Sequence, residues 1–356
     1  MKKKMTENLR AGMKLAKEII NGDGTVLLAK GVELTEEYIT AIKERGIPAV
    51  YIEHEYTKDL EFKPAIDTQK KEKVEKVVKE SMNNISFGQD INYKKIKKSA
   101  GILIDEIREN KDLIFNLNGI RAYSEYTFGH SVNVAVLAIL IALESNLRMK
   151  DIKELAIGAL LHDVGKIKIS KDIILKPAKL TKKEFEEIKL HTTKGYQILK
   201  DNDRISYRSA HIAYEHHERL NGQGYPQGLV GDEIHVFAQI TAVADIYDAM
   251  TTDRVYSNAV SPHQALKVLK AEVDKQKLKK EFVEVLLKYI APYPVGTMVR
   301  LNNGYQGIVL KNHKQELSSP IIRIVEKKGG VKLDSFYELD LRKKEDLEIT
   351  KIIDYS

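Results

Sequence analysis

The chain has no cysteine. That absence removes disulfides, thiolate metal sites and thiol nucleophiles, so any transition metal here must be held by nitrogen and oxygen. It also fits the cytosol, and a cytoplasmic location is expected. Long apolar runs are missing too. The longest, Val134 to Leu143, has ten residues, whereas a membrane span needs about twenty, so no span is expected. The basic N-terminus, MKKKMTENLRAGMKLAKEII, lacks the continuous apolar core of a signal peptide. There are no repeats, no low-complexity tracts and no His-Glu-x-x-His pattern of a zinc protease.

What remains is 356 residues, 43% hydrophobic and 31% charged, with a net charge of +7. Such a chain is soluble, buries a sizeable core and is long enough for two or three domains. The positive excess fits lysine-rich solubility and equally fits an anionic ligand.

Residues 1–60 read as a small α/β module. GTVLLAKG and PAVYIE are strand-like, and Thr35 to Arg45 is a short helix stopped by Gly46. Residues 61–115 read as a helical linker, with a break expected at Asn83 and Asn84 and a pairing surface for a homodimer. Lys94, Lys95, Lys97 and Lys98 on it read as a solvated face, so no nucleic-acid polymer is expected as partner. Residues 116–291 carry helix-period apolar positions throughout, with good helix starts at Thr181 and at Ser261-Pro262. After residue 291 the texture changes to strands in TMVRL, YQGIVL and PIIRIVE, with a hairpin turn signal at 302–304. Residues 292–356 are read as a small β-barrel. The fold class is thus multidomain and mainly α.

The stretch ALLHDVGK, 159–166, ends an apolar run in a histidine beside an aspartate. Seven of the ten histidines lie between 130 and 235. His130 opens an apolar helix, His162 and Asp163 close one, His191 sits on an amphipathic helix, and His216 and His217 close another. Asp245 and Asp248 lie inside ITAVADIYDAM with no lysine or arginine within a helical turn of Asp245. A carboxylate taken out of water needs a positive partner. A metal would supply it and engage the histidines at the same time. Five imidazoles and two carboxylates are too many for one zinc. They suit two metals of the iron, manganese, zinc or nickel kind, the arrangement that shares a hydroxide and holds phosphate oxygens in phosphate-ester hydrolysis.

HDVGK, followed by HHERLNGQGYPQGL at 216–229 and TAVADIYDAMTTDRVYS at 241–257, resembles the HD-GYP family of the HD superfamily of metal-dependent phosphohydrolases. The resemblance spans roughly 120–290. It implies an all-helical HD-type core and hydrolysis of cyclic di-GMP to pGpG, and in some members to GMP. It also implies two or three metals, with iron favoured and manganese the alternative. By position it makes His130, His162, Asp163, His191, His216, His217 and Asp245 the metal ligands, with Asp163 bridging. Lys166 matches a phosphate contact, Gly224, Tyr225 and Pro226 the loop that shapes the pocket, and Arg254 a residue binding the far side of the dinucleotide. Tyr225 either stacks a guanine or packs the loop. Arg254 either clamps ligand or forms a surface ion pair. Asp248 either orients a ligand histidine or is structural.

Three positions depart from the pattern. Tyr126 stands where three-metal members carry a glutamate, and Glu125, one step off, points elsewhere on a helix, so two metals are expected. Ser257 replaces a basic residue, and Asn221 an aspartate. A non-catalytic cyclic di-GMP receptor and a phosphodiesterase for another cyclic dinucleotide are the alternative readings.

Overall fold

The structure, a computed structural model, describes residues 2–20, 25–47, 49–53, 55–57, 59–60, 66–110, 126–176, 178–252 and 259–353. Two compact units emerge. The described parts of 1–63 and 293–356 form one, and those of 64–115 and 126–292 form the other.

In the first unit, β1 (Lys2–Met5) pairs antiparallel with β4 (Ala49–Ile52), and β2 (Ile19–Ile20) with β3 (Val26–Leu28). Helix α1 (Glu36–Glu44) is capped by the Thr35 side chain, which accepts from the Tyr38 N–H. Its Ile39 and Ile42 pack with Leu15, Leu34 and Val50.

The C-terminal part of this unit has five strands, β5 (Met298–Leu301), β6 (Gln306–Lys311), β7 (Ile321–Lys327), β8 (Val331–Asp340) and β9 (Ile349–Ile352). Their order is β8-β7-β6-β5-β9, all antiparallel. Gly304, at φ 88°, makes the β5–β6 turn that 302–304 signals. The expected barrel is corrected to an open sheet. Among the described residues no ladder joins β8 to β9. As an edge strand β8 is exposed along most of its length, so it lacks the alternation that would reveal it. One face of the sheet carries Met298, Ile308 and Val325, which pack with Tyr56. Asp59 accepts two hydrogen bonds from the Arg323 guanidinium, at 2.7 and 2.5 Å.

The second unit is helical: α2 (Thr68–Ser86), α3 (Tyr93–Glu109), α4 (Tyr126–Glu144), α5 (Met149–Leu160), α6 (Lys171–Ile174), α7 (Lys182–Lys200), α8 (Tyr207–Glu215), α9 (Val236–Thr251), α10 (Pro262–Asp274) and α11 (Lys280–Tyr289). The break expected at Asn83/Asn84 falls later. Both asparagines lie inside α2, and the chain turns where Gly88 takes a φ of 73°. Full capping boxes start α7 at Thr181 and α10 at Ser261.

Helix α4 is buried on every side from Val132 to Ala142 and packs against α5 and α9. Each such aliphatic side chain contributes about 1.5–3 kcal/mol on burial. The polar groups carried on these helices gain nothing of the kind and need their own compensation. No helix among the described residues is long and apolar enough to cross a membrane.

One crossing sets the site. After α5 the chain makes a tight turn at 161–163 and a short 3-10 helix, Val164–Lys168, which lies on α7. A Cβ on Gly165 would sit 1.9 Å from the His191 carbonyl oxygen and 2.5 Å from the Gly195 nitrogen. Only glycine permits this approach, and it brings His191 on α7 beside the His162-Asp163 turn.

Candidate metal centre

The seven predicted ligands converge. Asp163, 1% exposed, lies at the middle. Its Oδ1 faces His191 Nε2 at 3.5 Å and His216 Nε2 at 3.8 Å. Its Oδ2 faces His162 Nε2 at 3.4 Å and His130 Nε2 at 3.6 Å. Asp245 closes the second side, with Oδ1 3.2 Å from His130 Nε2, and its Oδ2 is 4.0 Å from His217 Nδ1. The donors fall into groups compatible with a bound cation: His191, His216 and His217; His130, His162 and Asp245; and His162, Asp163 and His216.

The protons on these rings are fixed by what the far nitrogens touch. Nδ1 of His162, His191 and His216 lies 2.8, 2.5 and 2.9 Å from the carbonyl oxygens of Ala159, Ile188 and Ile212. A carbonyl can only accept, so each Nδ1 carries the proton and each Nε2 presents a lone pair inward. His191 Nε2 and His216 Nε2 then face each other at 3.4 Å, lone pair to lone pair. His162 Nε2 and Asp163 Oδ1 are fully buried without a hydrogen-bond partner. Such a cluster is unfavourable unless an electrophile sits among the donors. Borderline nitrogen and hard oxygen donors in this ratio fit a divalent transition metal.

The electrostatics agree. Burial pushes the imidazolium forms of His191 and His216 down to about 4 and about 3, and that of His217 well below its usual value, so all three rings are neutral ligands near pH 7. Burial opposes ionisation of Asp163, but Lys166 and the surrounding histidines outweigh it and hold the carboxyl well below its ordinary range. Burial likewise opposes charge on His130, yet the carboxylates of Asp245 and Asp248 raise it to about 9.

Asp248 lies in contact with both His130 and Asn133. Its Oδ2 is 2.7 Å from His130 Nδ1, and its Oδ1 accepts from Asn133 Nδ2 at 2.8 Å. Asn133, one turn beyond His130 on α4, was not singled out from sequence. Lys166 Nζ donates to Asp163 Oδ2 at 2.5 Å, so it reaches the centre as expected.

The Gly224-Tyr225-Pro226 loop is folded round a residue that sequence reasoning passed over. Glu218, 2% exposed, accepts from the backbone N–H groups of Gln227 and Gly228 at 2.7 and 3.1 Å, and of Leu229 at 3.1 Å. A Cβ on Gly224 would lie 2.3 Å from Glu218 Cα. Its position directly after His216-His217 was the available signal. Tyr225 stacks on His217, with ring centres 4.7 Å apart and planes 26° apart. Asn221 anchors the loop base through Nδ2 to the Lys275 carbonyl at 3.2 Å. Arg254, Glu125 and Ser257 lie outside the described residues, as does the side chain of Tyr126.

Comparison with known proteins points the same way. Residues 103–280 match the HD domain family, and residues 298–356 a KOW domain associated with HD domains. The chain is 35% identical to the cyclic di-GMP phosphodiesterase PA4108 of Pseudomonas aeruginosa over 231 residues, 63% of this chain and 55% of that protein. It is 40% identical to a cyclic di-GMP phosphodiesterase of Thermotoga maritima over 186 residues, 51% of this chain and 50% of that one. The chain therefore spans about half the length of these curated relatives. A solved structure, Bd1817, an HDG"Y"P protein from Bdellovibrio bacteriovorus, shares the fold with a TM-score of 0.53 and 20% identity, covering 80% of this chain and 97% of that one. The chain belongs to the HD domain family, and its His-Asp and Gly-Tyr-Pro motifs place it among the HD-GYP proteins.

Proposed function

We propose that the protein hydrolyses cyclic di-GMP to the linear dinucleotide pGpG at a centre of two divalent ions. Iron is the favoured metal and manganese the alternative. The observation that carries this reading is the position of Asp163. One of its oxygens faces His191 and His216, and the other faces His130 and His162. A carboxylate so placed is suited to bridging two cations. His191, His216 and His217 would hold one ion, and His130, His162 and Asp245 the other. Bound there, the metals would act as Lewis acids on phosphate oxygens and make a nucleophile available from water near neutral pH.

The chain's own residues do the rest. The carbonyls of Ala159, Ile188 and Ile212 keep a proton on each Nδ1, so the Nε2 lone pairs stay directed inward. Asp248 does the same for His130. Lys166, with its side chain 30% exposed, is placed to offer its ammonium to a phosphate while remaining next to Asp163. Tyr225, stacked on His217, forms one wall of the site, and Glu218 holds the loop that carries it. Arg254 is proposed as a contact to the far side of the dinucleotide.

The test is turnover. Anaerobically purified protein loaded with iron or manganese is expected to linearise cyclic di-GMP, followed by chromatography and mass spectrometry, and His162→Ala is expected to be inert. Equal inertness of wild type and variant under reduced, metal-replete conditions would reject the reading. Including other cyclic dinucleotides in the same assay identifies the preferred base.

A further inference from the structure

Helix α7 brings His191 to the metal centre, and the two turns before it carry side chains that the centre does not use. Phe185 is 44% exposed, although a ring of that size usually goes to the core. Lys189, four residues on and so on the same face, keeps its side chain only 28% exposed. Both meet the Gly224-Tyr225-Pro226 loop. The rings of Phe185 and Tyr225 lie edge to face with centres 6.4 Å apart. The Lys189 ammonium is 5.0 Å from the centre of the Phe185 ring and 5.5 Å from that of Tyr225.

A row of rings thus leads out of the centre. His191 and His217 have ring centres 5.1 Å apart, His217 and Tyr225 4.7 Å, and Tyr225 and Phe185 6.4 Å. The inner end consists of candidate metal ligands, and the outer end is an exposed aromatic beside a cation. The bland account of that end is a surface ion pair, since Lys189 Nζ also lies 2.7 Å from Glu186 Oε1. Glu186 is 68% exposed, however, and such a pair gains little and needs no aromatic rings around it. A phosphate held at the inner end leaves a base of the same dinucleotide to lie along the row. Aromatic side chains stack any base, because every base has a π-face. A cation at the base edge discriminates. Guanine presents two acceptors there, O6 and N7, whereas adenine presents N7 beside the N6 amino group, itself a donor.

We infer that Phe185 and Lys189 form a base subsite of this centre: the Phe185 ring, with Tyr225, stacks a purine of the cyclic dinucleotide, and the Lys189 ammonium donates to O6 and N7 of guanine. This rests on the phosphodiesterase reading above. It adds the ground on which the site prefers guanine over adenine.

The test is the preference between bases. Initial rates of the metal-loaded full chain on cyclic di-GMP and on cyclic di-AMP give kcat and KM for each, and calorimetry gives Kd for both if neither is turned over. Lys189→Met is expected to lower the preference for the guanine dinucleotide about tenfold, the scale of one good contact to a guanine edge. Lys189→Arg is expected to keep it, since a guanidinium donates to the same two atoms. Phe185→Ala is expected to raise KM for both dinucleotides about tenfold through lost stacking, with their ratio unchanged, and Phe185→Tyr to keep the wild-type KM. A wild-type chain without preference for guanine, or a Lys189→Met chain with the wild-type preference, overturns the role of the lysine. A Phe185→Ala chain with the wild-type KM overturns that of the ring. Elemental analysis runs alongside. Loss of metal in either variant, with both substrates weakened equally, makes the residue a support of His191 and overturns the inference as well. A wild-type chain that turns over neither dinucleotide, yet binds cyclic di-GMP more tightly than cyclic di-AMP, removes the enzymatic reading alone, and the same variants then decide the subsite by Kd. One that binds neither overturns both.

Discussion

The two compact units handle charge in opposite ways. In the terminal unit, Arg323 meets Asp59 fork to fork where Asp59 is 58% exposed, and Arg342 meets Asp340 in the same manner. In both pairs the guanidinium donors meet carboxylate oxygens. In the helical unit, Asp163, Asp245 and four of the five histidines are nearly or fully buried; His191 Nε2 and His216 Nε2 face each other as acceptors, and His162 Nε2 and Asp163 Oδ1 have no hydrogen-bond partner. The first pattern closes on itself. The second needs a cation to complete it. Buried histidine alone does not make the difference. His211, on α8 shortly before His216 and His217, pairs with Glu215, and Glu215 also accepts from the His235 N–H at 2.7 Å. His211 Nε2 is nonetheless buried without a hydrogen-bond partner, so what sets the His-Asp cluster apart is the convergence of several donors on one point.

This contrast can be broken by substitution, most severely at its centre. Asp163→Ala is expected to cut cyclic dinucleotide hydrolysis by about a thousandfold or more, on the scale of removing an electrostatic centre from an active site. Steady-state kinetics with excess metal checks it, and a loss of less than tenfold would mean that Asp163 is no bridge.

Gly165→Ala comes next. The new methyl would enter the His191 carbonyl, so α7 must shift, at a cost of about 1–3 kcal/mol for overpacking. A lowered melting temperature is expected together with weaker metal binding, because the same crossing places His191. Destabilisation without any change in metal binding would separate the crossing from the site.

The acid–base behaviour of the metal-free helical unit sharpens the comparison further. His191 and His216, pushed down by burial to about 4 and about 3, take up protons more readily when unfolded, where histidine titrates near 6.5. Their contribution to stability is full above about 6.5 and is lost as pH falls towards those lower values. Asp163 and Asp245, both held low, add to the loss on the acid side. His130, raised to about 9 by its carboxylates against the effect of burial, contributes fully below about 6.5 and loses that contribution as pH rises through about 9. Melting of chelator-treated protein is therefore expected to be highest near neutrality and to decline on both sides. A melting temperature that climbs steadily from pH 5 to pH 9 would contradict the assignment.

The smallest effect belongs to the terminal unit. Arg323→Ala, which removes an exposed ion pair, is expected to cost about 0.2–1 kcal/mol and to leave metal binding unchanged. Denaturant melts and metal counts on one preparation measure both.

Much of this was legible in the sequence because it is local. Helix starts at Thr181 and Ser261 carry their caps within four residues, and α9 spans the stretch VFAQITAVADIYDAMT that periodicity marks. The seven candidate ligands could be picked out because several histidines and aspartates recur together on apolar segments, in the order that the resemblance matches. What stayed hidden depends on distant partners. Glu218 looks like any surface glutamate until the loop at 227–229 folds over it. Lys71 sits in a lysine-rich stretch, and only packing reveals that it is buried. Strand β8 alternates too little to be read, because it is exposed along most of its length and only Leu333 and Leu339 pack on the core, and the turn after α2 was misplaced because Asn83 and Asn84 are tolerated inside a helix.

The most direct test of the account is the metal content of the full chain after anaerobic purification and reconstitution, by elemental analysis, with Asp163→Ala alongside. About two divalent ions per chain in the wild type and almost none retained by the variant are predicted, as a bridged pair requires. Less than one ion per reconstituted wild-type chain, or equal content in the two proteins, would contradict it.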